Sequence, residues 1–210
     1  MSDTVLIEPH YLPTIEYFCC IDPYDNLLLE GHEHYVKQTY RNRCYILGAN
    51  NIMPLTIPVV NGNSKIPMRE IKIDYSQRWA AEHWRSIKSA YGKAPYFEYF
   101  ADYFEKVFAY RPTFLAEFNE RMLTLCLKLL NANKKIEWTN SYQREQIAGI
   151  IDYRSVITPK VNHAKRQVYK PYTYIQVFGK DFAENLSIID LLMNEGPNAS
   201  TVVTKSMRLE

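Results

Sequence analysis

The spacing of the apolar residues changes at Asp74, and this change constrains the fold more than any other feature of the sequence. Upstream of Asp74, short apolar runs read as β-strands; downstream, apolar residues recur at every third or fourth position, as in an α-helix. Gly92, Pro95 and Pro112 divide this second region into three helices. The chain is therefore predicted to be an α/β protein with a mixed sheet and a helical insertion at residues 74–131.

The predicted helices of this insertion each carry one apolar stripe. The first follows Asp74-Tyr-Ser-Gln77, which has the spacing of a capping box. The second is interpreted as a core element rather than a ligand site, because its phenylalanines recur at three and four residues: Phe97, Phe100, Phe104 and Phe108. The third begins after Pro112 and is predicted to bury Leu115, Phe118, Met122, Leu125 and Leu129.

The strands are predicted mainly in the first third of the chain. Val5-Leu-Ile7 is a short aliphatic run, and a loop at residues 10–13 separates it from a helix. Further extended segments are predicted at 26–30, 44–47, 52–60, 69–73, 136–139 and 172–178, with a short helix at 143–150. Residues 160–170 read as a basic loop. Ser187 caps a last helix that Gly196-Pro197 stops, and the chain is predicted to fray from Ala199.

Composition limits the class of protein. A chain of 210 residues with 47% hydrophobic and 23% charged residues has the size and composition of one domain, taken as residues 1–210. A formal charge of +2 gives no general attraction to nucleic acid or to a membrane surface, so neither is expected as a partner. No apolar segment approaches the ~20 residues that cross a bilayer, and no secretory signal is visible, so the protein is expected in the cytoplasm.

Several familiar chemistries lack their motifs. The sequence contains no GxGxxG after a strand, no GxxxxGK[ST], no HExxH and no GxSxG, which disfavours the classical dinucleotide, P-loop, zincin and hydrolase sites. His32 and His34 do not define a zinc site without a third ligand, and the four cysteines show no CxxC spacing. No cofactor and no metal are expected.

The opening loop supplies the candidate catalytic residues, His10 and Tyr11. They stand between the end of a strand and the start of a helix, where α/β proteins commonly bind ligands. His10 there is a candidate general acid or base, or a simple polar contact. Arg41 and Arg43, two apart in a segment read as extended, are candidates to grip a diphosphate from one side, and salt bridges to neighbouring acids are the alternative.

Other polar residues are weaker ligand-binding candidates. His83 shares a helical face with Trp79 and suits a structural role better than a catalytic one. Asp74 and Asp190 each have a capping role as the alternative to ligand contact. The remaining candidates flank residues already named: Tyr40, Asn42 and Asn194.

Three stretches together resemble one protein family. They are Glu8-Pro-His-Tyr-Leu-Pro-Thr-Ile-Glu-Tyr-Phe18, the segment from Asp74-Tyr-Ser-Gln-Arg-Trp79 through Ala94-Pro-Tyr-Phe97, and Leu186-Ser-Ile-Ile-Asp-Leu-Leu-Met-Asn-Glu-Gly-Pro197. The chain is similar in these stretches to the WbqC-like family of bacterial proteins. A segment with an Asn-Arg-Asn core matches Asn42-Arg-Cys44, Glu8 stands in place of a glutamine, and Gly31-His32 stand where the family has an acidic pair.

The resemblance implies work in bacterial surface-polysaccharide (O-antigen) biosynthesis, of transferase type, on an activated sugar. Two hypotheses follow. The first is an enzyme that transfers a group to or from a nucleotide sugar or related phosphate-bearing metabolite, with His10 as base or acid and the arginines on phosphate. The second is a non-catalytic scaffold that binds a biosynthetic partner protein or a second copy of the chain. Gly31-His32 favour the scaffold, whereas the opening loop favours the enzyme.

Overall fold

A computed structural model describes residues 3–179 and 181–208, and it confirms the α/β class. The strands are β1 (Thr4–Ile7), β2 (Asn26–Leu29), β3 (Arg43–Leu47), β4 (Ile52–Thr56), β5 (Lys135–Trp138) and β6 (Ile151–Asp152). The helices are α1 (Ile15–Ile21), α2 (Trp79–Tyr91), α3 (Phe97–Ala109), α4 (Leu115–Leu129), α5 (Ile188–Glu195) and α6 (Ala199–Ser206). Short 3₁₀ turns lie at Met68–Glu70, His163–Lys165 and Gly196–Asn198.

A four-stranded sheet in the order β5-β2-β1-β6 organises the fold, and every pair in it is parallel. The central strand β1 is apolar on both faces, with Val5, Leu6 and Ile7 all buried. This pattern is expected of a parallel strand covered on both sides. Because the strands run the same way, their carboxyl ends meet at one edge of the sheet.

A hairpin and three long helices make up most of the middle of the chain. β3 and β4 form an antiparallel hairpin, and helices α2, α3 and α4 pack in sequence as the predicted helical insertion. Phe104 and Phe108 of α3 are buried, while Phe97 and Phe100 are partly buried against the core. The phenylalanine stripe is therefore a core element. None of the described helices combines the length and the apolar character that a bilayer crossing requires.

The capping-box prediction at Asp74 was wrong. The Oδ1 atom of Asp74 accepts a hydrogen bond from the backbone N–H of Ser76, so residues 74–76 form a side-chain turn, and α2 begins at Trp79 with no side-chain cap. The local turn competes with helix initiation, as expected of aspartate.

Three predictions of regular structure were also wrong. Residues 69–73 contain a 3₁₀ turn and isolated bridges, and residues 143–150 and 172–178 are irregular. The last of these segments hydrogen-bonds through side chains, Tyr174 and Gln176 to the Asp190 carboxylate, instead of through a strand ladder.

The prediction for the last residues of the sequence was right at Ser187 and wrong from Ala199 onward. Ser187 caps α5 as predicted, and its hydroxyl accepts from the Ile189 N–H. Gly196, at φ +52°, ends that helix, but the chain then forms α6 instead of fraying. Val202 and Val203 of α6 are buried, and α6 packs against α1, so tertiary burial stabilises this short helix.

Candidate functional site

Polar side chains gather at the carboxyl edge of the parallel sheet. Glu8 follows β1, Glu30 follows β2, Thr139 follows β5, and Asp152 is the last residue of β6. Open α/β sheets bind their ligands outside this edge, because the loops that follow the strands converge there. We call these side chains and their direct partners the carboxyl-edge cluster; the partners are His10, Glu33, Arg41, Arg154 and Ser155.

Glu8, His10 and Arg41 form the buried centre of the cluster. The Glu8 Oε1 atom lies 3.4 Å from both the His10 Nε2 and an Arg41 terminal nitrogen, and the three side chains are almost inaccessible to solvent. Burial alone would raise the pKa of Glu8, but the charges of Arg41 and His10 outweigh it and hold that pKa at about 2. Burial lowers the pKa of His10, although Glu8 opposes this. At neutral pH the site thus holds an ionised Glu8 beside a neutral imidazole.

Arg41 is fixed by carboxylates on two sides. One terminal nitrogen donates to the Glu33 Oε2 at 2.6 Å and to the Ser155 hydroxyl at 3.2 Å, and it also faces Glu8. Arg41 precedes β3 in a turn, which is why its side chain does not follow the strand alternation expected for residues 41 and 43.

Arg154 forms ion pairs with the carboxylates that follow β2 and end β6. Its guanidinium donates to both Asp152 oxygens and to Glu30 Oε2 at 3.1 Å. The second Glu30 oxygen, Oε1, accepts from the backbone N–H groups of His32 and Glu33 and from the Thr139 hydroxyl. Every Glu30 oxygen therefore has partners.

Four buried polar atoms of the centre make no well-formed hydrogen bond to another described residue, and the Glu8–His10 contact is long at 3.4 Å. They are Glu8 Oε1, both ring nitrogens of His10, and Arg41 Nε. Buried polar groups are nearly always satisfied, so a concentration of unsatisfied atoms at one ligand-binding edge points to function. Among the described residues, the four carboxylates of Glu8, Glu30, Glu33 and Asp152 form ion pairs with two guanidinium groups, those of Arg41 and Arg154.

The chain after β6 covers this centre. The Ser155 N–H donates to Glu8 Oε2 at 2.8 Å, and Ile157 is buried. Further along the chain, Arg166 forms a bidentate salt bridge with the buried Glu16 of α1, and both N···O distances are 2.6 Å. We call residues 153–170 the cover segment. His10 itself is buried, so a ligand reaches it only if residues around it move.

Tyr11 points away from His10. Its hydroxyl is 2.9 Å from the His83 Nδ1, and its ring packs on His83 and Phe118. Burial lowers the pKa of His83 to about 4, so the imidazole is neutral and hydrogen-bonds the tyrosine hydroxyl in its uncharged form. This buried contact joins the opening loop to α2 and does not reach the centre of the cluster.

The low pKa of His83 predicts a specific pH dependence of stability. The unfolded state protonates His83 near pH 6.5 and the folded state near pH 4, so its contribution is present above pH 6.5 and is lost as the pH falls toward 4. Between those limits the wild type should lose about 3 kcal/mol of unfolding free energy relative to His83→Gln, which cannot titrate. Urea unfolding of both proteins across this range measures the difference; parallel profiles would contradict the assignment.

The other predicted residues in segment 40–43 divide between two environments. Tyr40 accepts the Tyr11 N–H at its carbonyl and packs its ring 5.5 Å from His10. Asn42 is buried and donates to the Ile57 carbonyl. Arg43 is partly buried and donates from Nε to the Thr56 hydroxyl at 3.0 Å. The structure therefore brings the opening loop and this segment together, but directs the two arginines to different partners.

Asp74, Asp190 and Asn194 lie outside the cluster. Asp74 makes the turn described above. Asp190 does not cap α5, because it is buried and accepts from Tyr174 and Gln176 at Oδ2, and burial raises its pKa. The Asn194 side chain donates to the Asp190 carbonyl one turn earlier. These contacts are structural.

Six charged or polar residues of the cluster were missed by sequence reasoning: Glu30, Glu33, Thr139, Asp152, Arg154 and Ser155. Glu8 was noted only for its place in the family pattern. Glu30 is the last residue of a predicted strand, so its place at the carboxyl end of a strand could have been read from the sequence. Residues 152–155 gave none, because β6 is only two residues long. No group of histidine, cysteine and carboxylate suited to a metal occurs within the described ranges, and His32 Nε2 contacts the Thr139 carbonyl.

Fold and cluster together define an α/β protein with a closed polar site at the carboxyl edge of a parallel sheet. The chain matches the WbqC-like protein family over residues 8–158 and 160–202, and it belongs to that family. It is also similar to the uncharacterized protein Rv1507c of Mycobacterium tuberculosis (strain ATCC 25618 / H37Rv), with 27% identity over 226 residues, covering 95% of this chain and 96% of the relative. No solved structure matches the chain significantly.

Proposed function

We propose that the chain is a transferase-type enzyme that works at the carboxyl-edge cluster on a nucleotide-activated sugar or a related phosphate-bearing metabolite of bacterial surface-polysaccharide biosynthesis. The observation that carries the proposal is the buried His10 imidazole, which lies 3.4 Å from an ionised Glu8. The sugar substrate rests on the family resemblance alone.

His10 suits general-base work because it is neutral and has free ring nitrogens. It accepts the proton of an acceptor hydroxyl or amine as that atom attacks the activated carbon, and the bond to the nucleotide's phosphate oxygen breaks with its electrons leaving on that oxygen. Glu8 stays ionised at its pKa of about 2 and stabilises the imidazolium that forms. Arg41 touches Glu8 and Glu33 and acts as a positioning residue that holds Glu8 in place.

Of the two arginines proposed to bind phosphate, Arg43 is still available, because Arg41 is ion-paired with carboxylates. Within the part of the chain that the structure describes, the Arg43 Nε alone is bonded to a neighbouring side chain, so the terminal nitrogens retain donors for a bidentate contact. Arg43→Lys keeps the charge but removes this planar fork, and we expect nucleotide-sugar affinity to fall about tenfold. Isothermal titration calorimetry measures the change, with Arg85→Lys on exposed α2 as the matched control; equal affinities would remove Arg43 from the site.

A thermal-shift screen tests the proposal as a whole. A ligand that binds only the folded state raises the melting temperature, so UDP-, dTDP- and GDP-sugars, the free nucleotides and acyl donors are compared at saturating concentration. We expect a nucleotide sugar to raise the melting temperature and Glu8→Gln to reduce that rise. If no phosphate-bearing compound raises the melting temperature, the enzyme proposal is contradicted.

The second candidate function is a non-catalytic scaffold. It is supported by large apolar side chains left in solvent, Ile175 at 87% and Tyr99 at 71% exposure, which suit contact with a biosynthetic protein or a second copy of the chain. Gly31-His32 no longer favour it, because Glu30 and Glu33 on either side supply carboxylates to the same edge. Sedimentation of the purified protein distinguishes self-association from a monomer.

A further inference from the structure

An aromatic cavity with a polar rim lies between α2 and α3, away from the carboxyl-edge cluster. Its volume is about 360 Å³, within the range of small-molecule sites. Tyr75, Trp84 and Phe108 provide aromatic lining, and the small side chains of Ala80, Ala81 and Ala109 leave the space between them open. Several lining residues come from the stretch that starts at Asp74, to which the proposed function assigns no role.

The aromatic walls suit a flat apolar group. Trp84 and Phe108 stack with ring centroids 5.8 Å apart and planes inclined by 28°. The Trp84 indole N–H donates to Glu105 Oε1 at 2.7 Å, so this polar atom is already satisfied and the cavity presents ring surface instead. A planar aromatic ligand gains from such contacts beyond simple burial.

The polar rim suits a negative charge. Arg78 and Arg111 line the cavity, and neither forms an ion pair with any residue of the described chain. The Arg111 guanidinium lies 4.6 Å from the Tyr75 ring centroid, and Tyr75 is anchored through its hydroxyl to the Pro112 carbonyl. Glu105, the carboxylate of the lining, is held by Trp84. The rim therefore carries unbalanced positive charge.

The N-terminus of α2 adds to this positive charge. No side chain caps the helix, and Ala80 and Ala81 of its first turn line the cavity. Free N–H groups and the positive end of the helix dipole favour an anion beside the arginines. The aromatic cavity and its unpaired arginines point to the same ligand independently of the helix.

We propose that this cavity binds a small aromatic anion, a planar ring system that carries a carboxylate or phosphate group. The ring lies against Trp84 and Phe108, and the acidic group meets Arg78 and Arg111. This site is distinct from the carboxyl-edge cluster, because the Tyr11, His83 and Trp79 side chains pack between the opening loop and Tyr75. The inference does not depend on the proposed function.

Calorimetric titration of the full chain with 2-naphthoate tests the proposal. We expect saturable one-site binding, at least about tenfold weaker binding of the neutral 2-naphthamide, and a loss of about tenfold for Arg111→Gln, because a charge-assisted contact is removed. Arg85→Gln, which removes an equal charge from the exposed face of α2, should bind as the wild type does. Equal binding of the acid and the amide, or equal losses in both variants, would overturn the proposal.

A cavity-filling variant gives an independent check. Ala81 is exposed at the cavity, so Ala81→Phe should leave the circular dichroism spectrum and melting temperature unchanged while abolishing naphthoate binding. Inorganic phosphate, the anion without the ring, should compete only weakly. Naphthoate binding that survives in Ala81→Phe, or no binding to the wild type at millimolar concentration, contradicts the assignment.

Discussion

Replacement of Arg41 by methionine should destabilise the protein by about 3–5 kcal/mol, because it leaves buried carboxylates without their cation. Glu8 is fully buried, and its pKa of about 2 depends on Arg41. Without the guanidinium, burial drives that pKa upward and Glu8 takes up a proton on folding. Urea unfolding at neutral pH measures the loss.

Two companion variants make this result specific. Arg43→Met removes a partly buried arginine that bonds a hydroxyl rather than a carboxylate, so its cost should be clearly smaller. Glu8→Gln combined with Arg41→Met removes the unpaired charge at Glu8 and should recover part of the stability. Equal costs for the two arginines would mean that the charge arrangement around Glu8 is not what stabilises this edge.

His10→Gln should lower the rate of transfer by about 10²–10⁴-fold, the usual contribution of a general base. Its effect on folding should be smaller than that of Arg41→Met, because the 3.4 Å contact between His10 and Glu8 is long and Glu8 keeps its contacts with Arg41 and with the Ser155 N–H. Glutamine is preferred to alanine because His10 packs between Tyr17 and Tyr40, and alanine would leave a cavity there.

The rate is followed as nucleotide release from the sugar donor that the thermal-shift screen identifies. His34→Gln is the matched control, since His34 is exposed and lies outside the centre of the cluster. A His10→Gln protein that turns over at the wild-type rate, with an unchanged melting temperature, would exclude His10 as the base.

The sequence predicted the parts of the fold that local patterns determine. The strand, loop and helix at the start of the chain are visible because Val5–Ile7 is apolar and Ile15, Phe18 and Cys19 fall on one helical face. The structure adds that Thr14 caps α1. The three long helices follow from their apolar period. The start of α2 was predicted wrongly at Asp74, because an aspartate side chain can hydrogen-bond within a local turn as readily as it can cap a helix.

The carboxyl-edge cluster was only half predictable, because it depends on which strands become neighbours. His10 and Arg41 were found from the loop and the segment that contain them. Asp152 and Arg154 approach Glu30 only because the two-residue strand β6 pairs with β1 across a separation of more than a hundred residues. Such a short strand has no periodicity to read, so Arg154 appeared as an ordinary charged residue in a loop.

The nuclear magnetic resonance spectrum of ¹⁵N-histidine-labelled protein tests the central claim most directly, because the chain has only five histidines. His10→Gln assigns the ring-nitrogen signals of His10, which should report a neutral imidazole at pH 7. On saturation with the nucleotide sugar that stabilises the protein most, we predict that the His10 signals shift while those of exposed His34 do not. A ligand that saturates the protein and leaves the His10 signals unchanged would contradict the assignment of the site to the carboxyl-edge cluster.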